Sequence, residues 1–476
     1  MVMKTPERHS TYDVCIVGAG IAGSVLAAQL GKNGLRVLII EKTLEDQDRI
    51  VGELLQPGGV AMLEKMGLGE VLNEVSAQTI VGYGIFKNHE RFHLPYNSTE
   101  GRIINGRGFR YEKLLDAIRN KLAEISSVDL VCGRVTSIDQ RGDQITGVSY
   151  IPNDNQEPIK VVVPLTIMSD GCFSSFRKPH VYSESQLTGY FIGLILEGCK
   201  LPFPNYGHVI ITDKSPFLAY PVGNGQIRVL IDFPYRKAPR LGKNLETYLV
   251  DEIGPQVPHE LQSAYYEAVE SKQIKVMPNH LLPAAPKPEK GLAILGDALN
   301  MRHPLTGGGM TVALNDVFLL SEKLKALLSF DDIDAVSVAI KAYYAERSSR
   351  IGTINILADA LYQVFSHPEL KHACFDYLKR GKFYYNGPID LLSGISSDRN
   401  LLLRHFFAVA QFGAMQVMKQ EAFPENVRKA YRMVHTASHI ITPLLDNENP
   451  GMIVKTVLKG SKFLFPEEKA QPQASH

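Results

Sequence analysis

Three glycines near the start of the chain have the spacing that binds a pyrophosphate. Gly18, Gly20 and Gly23 follow an apolar run, residues 12–17, that is typical of a buried strand. In such a loop the first glycine allows a tight turn, the second lets a phosphate approach the backbone, and the third lets a helix pack on the strand. The free N–H groups and the positive dipole end of that helix attract the phosphates. Glu41 follows about 20 residues further on, where a carboxylate can bind ribose hydroxyls, so the segment predicts a dinucleotide site.

The elements that would position this loop follow from the hydrophobic pattern. The pattern predicts helices over 24–32, 60–65 and 111–124, and strands over 36–40, 128–138, 145–150, 161–169 and 291–295. Short β-like runs broken by Pro and Gly fill residues 180–285 and predict an inserted, mostly antiparallel sheet. From residue 335 onward the pattern is helical, with breaks expected near Pro388, Pro424 and Pro443 and a polar, disordered tail after Pro466.

Composition excludes several classes of protein. The chain has 476 residues, 45% of them hydrophobic, which is enough for a sizeable core. Lys plus Arg is 51 and Asp plus Glu is 50, so the basic excess of a nucleic-acid-binding protein is missing. The five cysteines are scattered without a CxxC pair, which favours reduced thiols in a cytosol-facing protein over a metal site or a disulfide scaffold.

Two later glycine–aspartate pairs complete a set of three motifs. Asp170-Gly171 and Gly296-Asp297 each follow a predicted strand. Together with the first glycine loop they resemble the FAD-dependent monooxygenases of the hydroxylase fold. Three longer strings are similar to one family within that group, squalene monooxygenase (squalene epoxidase): DRIVGELLQPGG at 48–59, SSFRK at 174–178 and GDALNMRHPLTGGGM at 296–310.

The resemblance implies an α/β architecture. It consists of a Rossmann-like FAD-binding domain of the GR2 or hydroxylase type, an inserted, mostly antiparallel β-sheet domain that binds substrate, and a C-terminal helical region associated with a membrane. The implied boundaries are 1–179 for the first part of the FAD domain (with 80–110 contributing to the substrate domain), 180–285 for the substrate domain, 286–350 for the second part of the FAD domain and 351–476 for the helical region.

The same resemblance assigns the cofactor-binding residues position by position. Besides the three glycines of the loop, it places residues at the pyrophosphate, at the adenosine ribose, near the flavin, at the adenine end, and at the ribityl chain and ring. In that order they are Ile21 and Ala22; Glu41 and Lys42; Arg49 and Leu54; Arg119 and Val135; Asp297 and Met310.

The implied reaction is the epoxidation of squalene to (S)-2,3-oxidosqualene in sterol biosynthesis, with FAD as cofactor, O2 as oxidant and no metal. The resemblance also implies that electrons come from NADPH through a separate NADPH-cytochrome reductase, and the sequence, in which no second dinucleotide motif is visible, agrees with this. The implied location is the cytosol-facing side of the endoplasmic reticulum (microsomal) membrane, and also lipid droplets. Two uncharged runs, 405–418 and 433–445, are the candidates for helices that lie on the membrane lipid.

Two alternatives remain open at this point. One is another enzyme on the same fold, such as a prenyl-lipid reductase or an aromatic hydroxylase, although the string Met301-Arg-His-Pro304 argues against it. The other is a prenyl-lipid chaperone that uses the fold without redox chemistry. Such chaperones typically degrade the flavin motifs, which are intact here.

Epoxidation needs few catalytic side chains, because the flavin carries the difficult step and the protein supplies orientation and dryness. His303, beside Pro304 and three glycines, is read more readily as a residue that holds its loop than as a base. The candidate catalytic residues are Tyr83 and Gln56. The hypothesis is that the Tyr83 hydroxyl bonds the Gln56 amide and so fixes that amide near the reacting double bond, against the alternative of a core tyrosine with its hydroxyl in water.

Overall fold

The strands and helices described below are those of a computed structural model, which describes residues 11–45, 49–88, 90–98, 101–154, 157–212, 216–235 and 244–448. The strands are β1 Val14–Val17, β2 Val37–Glu41, β3 Leu54–Leu55, β4 Gln78–Ile80, β5 Gly82–Lys87, β6 Glu90–Pro95, β7 Gly106–Gly108, β8 Val128–Arg141, β9 Gln144–Pro152, β10 Ile159–Val162, β11 Leu165–Met168, β12 Gln186–Leu196, β13 Gly207–Ile211, β14 Phe217–Gly223, β15 Gln226–Pro234, β16 Lys275–Leu281 and β17 Leu292–Ile294. The helices are α1 Ile21–Lys32, α2 Pro57–Lys65, α3 Val71–Glu74, α4 Tyr111–Ala123, α5 Leu245–Thr247, α6 His259–Glu270, α7 Gly309–Lys325, α8 Ile333–Ser366, α9 Pro368–Leu378, α10 Lys382–Leu392, α11 Arg399–Gln420 and α12 Glu425–Glu448.

A first sheet carries the glycine loop. Its strand order is β10-β9-β8-β2-β1-β11-β17, and β1 lies parallel to both β2 and β11. Every residue of β1, β2 and β11 is buried, as in parallel sheets that are covered on both faces. The helices α1, α4 and α7 pack together beside this sheet in one hydrophobic cluster. The carboxyl ends of β1, β11 and β17 therefore converge on one edge, where the three glycine motifs begin.

A second sheet has the order β16-β12-β15-β14-β13-β5-β6. Its pairs are antiparallel except for β13 with β5, so the expected inserted, mostly antiparallel sheet is present. Strands β5 and β6 come from residues 82–95 and join it from the N-terminal part of the chain. One face packs against α6, and the other faces the loop after β2 together with α9 and α10.

One buried ion pair and one further buried polar contact join the second sheet to the loops of the first. Arg228 on β15 donates from Nε and Nη2 to the two oxygens of Glu53, at 2.5 and 3.2 Å, and both side chains are buried. Asp232, four residues further along β15, lies 3.3 Å from Nε2 of His303. Because an ion pair broken inside a protein is costly, these contacts fix the position of the second sheet over the loops.

The C-terminal helices differ from expectation at two prolines. Pro388 lies inside α10 and Pro443 lies inside α12, so the predicted helix breaks at these positions are wrong. A helix loses one backbone hydrogen bond at such a proline, and here tertiary packing holds the helix together on both sides of it. Pro424 does separate two helices, α11 and α12. The tail after Pro466 lies outside the described residues.

The apolar run at 433–445 is not free to lie on a membrane, contrary to expectation. Its apolar side chains are the buried face of α12, packed against α8 and α11; they are Met433, Ala437, Ile440, Ile441, Leu444 and Leu445. Within the described ranges, α11 alone is long and apolar enough to cross a membrane, by a criterion of length and composition that core helices of soluble proteins also meet. Five large apolar residues near the turn between α11 and α12 are instead exposed: Met415, Met418, Phe423, Val427 and Tyr431.

Candidate active site

The glycine loop has the backbone geometry that the motif predicts. Gly18 has φ of +100°, and a Cβ atom there would lie 2.6 Å from the carbonyl oxygen of Ser169. A Cβ at Gly23 would collide with the carbonyl of Gly18. A Cβ at Gly20 would meet nothing within 4 Å, so Gly20 borders open space. The first and third glycines are thus required by packing, and the second leaves room for a ligand beside the backbone.

Glu41 and Arg119 brace this loop from the adjoining elements. The Ala19 N–H donates to Oε2 of Glu41 at 2.8 Å, and the Lys42 N–H donates to Oε1 at 3.0 Å. Nε of Arg119 donates to the Ala19 carbonyl at 3.0 Å, and its Nη2 lies 4.0 Å from Glu41. Both side chains are buried. The motif alone suggested a ribose ligand at Glu41; the structure adds that the same carboxylate holds the loop.

Two helix N-termini are available to an anion. No described side chain caps α1, whose N-cap is Gly20, or α7, whose N-cap is Gly308, and neither helix has an acidic residue in its first turn. The first N–H groups of a helix have no partner within the helix, and they carry the positive end of its dipole. An oxygen-rich ligand can therefore be bound at both places.

Both helix starts open into one cleft with about 1320 Å³ of empty space. The glycine motifs form part of its wall through Gly20, Ile21, Ala22, Gly296 and Asp297, and Arg49, Leu54 and Met310 also line it. Its apolar wall comes from the second sheet, through Leu218, Tyr220, Leu230 and Met277. The cleft is thus shared between a dinucleotide-type site and a hydrophobic surface, and the chemistry of its two ends differs.

Arg49 and Asp297 supply opposite charges to this cleft. The Arg49 guanidinium lies 5.4 Å from the centre of the Tyr111 ring, and its Nη2 is 3.6 Å from Sγ of Cys172. Burial disfavours the charged form of Arg49, but interactions with Tyr111 and Asp297 outweigh it and raise its pKa, so the guanidinium is a fixed positive charge. Asp297 follows Gly296, whose φ is +64°.

Several residues assigned to the cofactor lie outside the lining of the cleft. Gly18, Gly23, Glu41 and Arg119 support the loop from behind, as described above. Lys42 is exposed, and its carbonyl accepts from Nδ2 of Asn153 at 3.2 Å. Val135 is paired with Tyr150 across β8 and β9 and packs on the outer cluster of the first sheet. Contact of Lys42 and Val135 with the adenosine part of a cofactor stays a prediction.

The hydrogen bond between Tyr83 and Gln56 is present. The Tyr83 hydroxyl donates to Oε1 of Gln56 at 2.8 Å, and the Tyr96 hydroxyl donates to the same oxygen at 2.9 Å. Nε2 of Gln56 donates to the carbonyl of Thr306 at 2.8 Å. All three side chains are buried, which excludes a Tyr83 hydroxyl in water. Burial raises the pKa of Tyr83 and Tyr96, so both hydroxyls stay protonated donors.

This cluster differs from the expected one in where the amide points. Gln56 and Tyr83 are not among the described residues that line the cleft. The amide instead holds Thr306, directly before Gly307, whose backbone is left-handed at φ +63°. The pair therefore acts on the glycine-rich loop at the start of α7, and Tyr96 is the member that sequence reasoning missed. The pairing of β6 with β5, which only the structure shows, brings the ring centre of Tyr96 to 5.6 Å from that of Tyr83.

His303 holds its loop, in agreement with the more conservative interpretation of the sequence. Its Nδ1 accepts the N–H of Leu305 at 3.3 Å, so the proton of the neutral ring is on Nε2, which faces Asp232. The ring stacks on Tyr362 of α8 with centres 3.7 Å apart. His303 is buried and does not line the cleft within the described residues. Three elements thus fix this histidine from different sides.

Comparison with known proteins agrees with this geometry. The family model for squalene epoxidase matches residues 162–429, and a model of an NAD(P)-binding Rossmann-like domain matches residues 16–45. "Squalene epoxidase 2, mitochondrial" of Arabidopsis thaliana is 42% identical over 450 residues, covering 93% of this chain and 77% of that protein. "Squalene epoxidase erg1" of Schizosaccharomyces pombe is 35% identical, covering 92% of this chain and 98% of that protein.

The chain belongs to the squalene epoxidase family. Solved structures show the fold of this family member. The flavin-dependent brominase Bmp2 matches with a TM-score of 0.64 at 20% identity, over 82% of this chain and 95% of that one. HpxO of Klebsiella pneumoniae, complexed with FAD, matches with a TM-score of 0.65 at 19% identity, over 80% of this chain and 99% of that one.

The residues of this squalene epoxidase family member fit FAD. The open space beside Gly20 and the uncapped start of α1 suit a pyrophosphate. The uncapped start of α7 suits a group that gains negative charge on reduction. Asp297 lines the cleft between the two helix starts, where a carboxylate can accept from the hydroxyls of a ribityl chain.

Proposed function

We propose that this protein is an FAD-dependent monooxygenase that epoxidises squalene to (S)-2,3-oxidosqualene in sterol biosynthesis, using O2. The observation that carries the proposal is the single cleft with two unlike walls, one built from dinucleotide motifs and one from the apolar face of the second sheet. Family membership at 42% identity to a squalene epoxidase supports the choice of substrate. A long hydrocarbon without polar groups matches the apolar wall.

FAD supplies the activated oxygen when it is bound and reduced. The residues of the chain bind, orient and exclude water. The start of α1 and Asp297 hold the cofactor, and the start of α7 favours negative charge on the ring. Leu218, Leu230 and Met277 keep the substrate end dry. Epoxidation of an isolated alkene removes no proton from it, so the reaction needs no general base.

Gln56 and Tyr83 are positioning residues in this proposal. Gln56 bonds the carbonyl of Thr306, and Tyr83 with Tyr96 fixes the Gln56 amide. The held segment is the glycine-rich turn that leads into α7, and Gly307 of that turn and Gly309 at the start of α7 line the cleft. Small displacements of that backbone would change the distance from the reacting double bond to the cofactor, and misplacement of reactants is costly in rate.

Electrons are proposed to come from NADPH through a separate NADPH-cytochrome reductase. What supports this is the sequence, in which the strand–glycine loop–helix motif occurs once, at Gly18–Gly23, and is assigned to FAD. The reductase would deliver electrons to the bound flavin from outside the cleft.

Attachment to membrane lipid, at the endoplasmic reticulum and lipid droplets, is proposed because squalene partitions into bilayers. The candidate contact surface is the tip of the α11–α12 hairpin, defined here as the exposed side chains Met415, Met418, Phe423, Val427 and Tyr431. Phe423 is 81% exposed and Tyr431 is 69% exposed, which is unusual for aromatic side chains. Basic residues on the same hairpin, among them Lys419, Arg428 and Arg432, suit anionic headgroups.

The function is tested by product analysis. Purified protein with FAD, supplied with squalene, O2, NADPH and an NADPH-cytochrome reductase, should form 2,3-oxidosqualene with one oxygen atom from ¹⁸O2. Omitting the reductase should abolish turnover, and NADPH alone should not reduce the flavin. Binding of squalene without product under reducing conditions would favour a lipid-binding protein, and product from an aromatic substrate alone would favour a hydroxylase.

The membrane surface is tested by point variants rather than by deletion, because removing α11 and α12 would expose the buried residues of these helices. Phe423→Asp with Tyr431→Asp should reduce flotation with anionic liposomes several-fold and leave FAD content unchanged. Leu328→Asp is the matched control, since Leu328 is fully exposed in the loop after α7, remote in sequence from the hairpin. Equal flotation of all three proteins would place the attachment elsewhere.

A further inference from the structure

Two histidines form a close pair on the exposed side of α12. His435 and His439 are four residues apart, which places them on neighbouring turns of one helix face. Their Nε2 atoms lie 3.2 Å apart and their ring centres 4.3 Å apart. Both residues are exposed, so an ion in solvent reaches them. Neither takes part in the active site described above.

The separation of the two nitrogen atoms is that of two ligands on one metal ion. Zn²⁺ binds imidazole nitrogen at about 2.0–2.1 Å. With two bonds of that length and the observed 3.2 Å between the nitrogens, the N–Zn–N angle is about 103°. A tetrahedral site needs about 109°, so the distance between the two nitrogens suits one ion bound by both, once the rings turn their Nε2 lone pairs towards it.

The metal-free pair is held only weakly in this arrangement. In this contact one Nε2–H donates and the other Nε2 accepts through its lone pair. The ring of Tyr431 stacks on His435 with centres 5.6 Å apart, which orients the first ring from the preceding turn. Loss of one exposed hydrogen bond would be offset by two metal bonds. Imidazole suits Zn²⁺, Cu²⁺ and Ni²⁺, and does not suit Mg²⁺ or Ca²⁺.

We propose that His435 and His439 bind a divalent transition-metal ion of the zinc class through their Nε2 atoms. Within the described part of the chain no third His, Cys, Asp or Glu completes a metal cluster, so the remaining positions are taken by water or by an external ligand. The pair continues the four-residue spacing of Phe423, Val427 and Tyr431 along the hairpin. The ion therefore lies at the border of the surface proposed to meet the membrane, and the metal site itself stands independently of that proposal.

The proposal is tested by zinc titration of the FAD-loaded, untagged protein in a calorimeter. Wild type should show one site that either His435→Ala or His439→Ala weakens at least tenfold. His259→Ala, which removes an exposed histidine on α6, should leave the titration unchanged. A spacing control, Thr436→His with His439→Gln, keeps the number of histidines but puts the two rings on different helix faces, and it should bind as weakly as the single variants.

A spectroscopic readout identifies the ligands directly. One equivalent of Cu²⁺ should give an electron paramagnetic resonance spectrum with coupling to imidazole nitrogen in wild type, and this coupling should be lost in His435→Ala. Zinc affinity that is equal in wild type, His435→Ala and the spacing control would overturn the proposal and assign any binding to other groups. None of these measurements depends on squalene turnover, so their outcome is separate from that of the proposed function.

Discussion

The hydroxyl of Tyr83 donates to Oε1 of Gln56 over 2.8 Å and joins β5 of the second sheet to the start of α2. Because Tyr96 donates to the same oxygen, removing one hydroxyl leaves the other in place. Losing a partner of a buried polar group costs about 1–3 kcal/mol, which corresponds to about five- to 150-fold in rate if the loss falls on the transition state. We therefore expect Tyr83→Phe to lower kcat for epoxidation about tenfold, and Tyr83→Phe with Tyr96→Phe to lower it further.

The measurement for this pair is kcat alongside FAD content. A positioning role predicts normal FAD absorbance after gel filtration and a lowered kcat in both variants. Gln56→Ala added to the double variant should cost little more, because all three groups act as one unit. Strictly additive losses, or wild-type turnover in the double tyrosine variant, would separate these residues from the reaction.

Removing the carboxylate of Asp297 should weaken FAD binding. Asp297 lines the cleft between the starts of α1 and α7, and a hydrogen bond to a charged group contributes about 1.5–3 kcal/mol. Asp297→Ala should thus lower FAD affinity about ten- to a hundredfold, as measured by flavin absorbance after gel filtration. Asp251→Ala, at an exposed position between β15 and α6, is the control. Full flavin retention in Asp297→Ala would contradict the assignment.

Replacing Arg228 should destabilise the protein, because it removes the main partner of the buried Glu53 carboxylate. Glu53 is fully buried, and Arg228 donates to both of its oxygens, with Arg110 3.4 Å away as a partial second partner. Removing one member of a buried pair costs about 3–5 kcal/mol, and the remaining Arg110 places the expected loss for Arg228→Met at the lower end. Chemical denaturation followed by circular dichroism measures it.

The double variant Glu53→Leu with Arg228→Met distinguishes an unpaired charge from lost packing. It removes both charges, so it should recover much of the stability lost in Arg228→Met. If the double variant is the less stable of the two, the pair is not the source of the effect.

His208, on β13 of the second sheet, should lower the free energy of unfolding at acid pH. Its side chain is buried, its Nε2 accepts the Phe203 N–H at 3.1 Å, and its Nδ1 lies 3.0 Å from the Tyr206 carbonyl. Burial lowers the pKa of His208 from 6.5 to about 4. Below pH 6.5 the unfolded chain takes up a proton that the folded protein refuses, so the free energy of unfolding falls as the pH drops towards 4, by roughly 3 kcal/mol in total.

The variant His208→Gln isolates this contribution from the other groups that titrate in acid. Its free energy of unfolding should fall less steeply than that of wild type between pH 6.5 and 4, and the two curves should run parallel above pH 7. Parallel curves throughout that acid range would show that His208 does not titrate with a lowered pKa.

The first βαβ unit could be predicted from the sequence, because each of its requirements acts locally. Gly18 has a left-handed φ of +100°, and a Cβ at Gly23 would collide with the carbonyl of Gly18 in the same loop, so glycine spacing alone marks the turn. The apolar runs likewise predicted the first sheet and the inserted antiparallel sheet. A strand buried on one face alternates apolar and polar residues, and a strand buried on both faces is apolar throughout. The three long strings at 48–59, 174–178 and 296–310 indicated the family.

Contacts between distant segments came only from the tertiary structure. Nothing in the sequence indicates that Tyr96 shares an oxygen of Gln56 with Tyr83, or that Arg228 reaches Glu53 across 175 positions, because side-chain partners depend on how two sheets are stacked. The same holds for 433–445, which has the composition of a membrane-facing run but is the core face of α12. Composition indicates only that an apolar face must be buried. The packing of α12 against α8 and α11 shows that protein, and not lipid, buries this one.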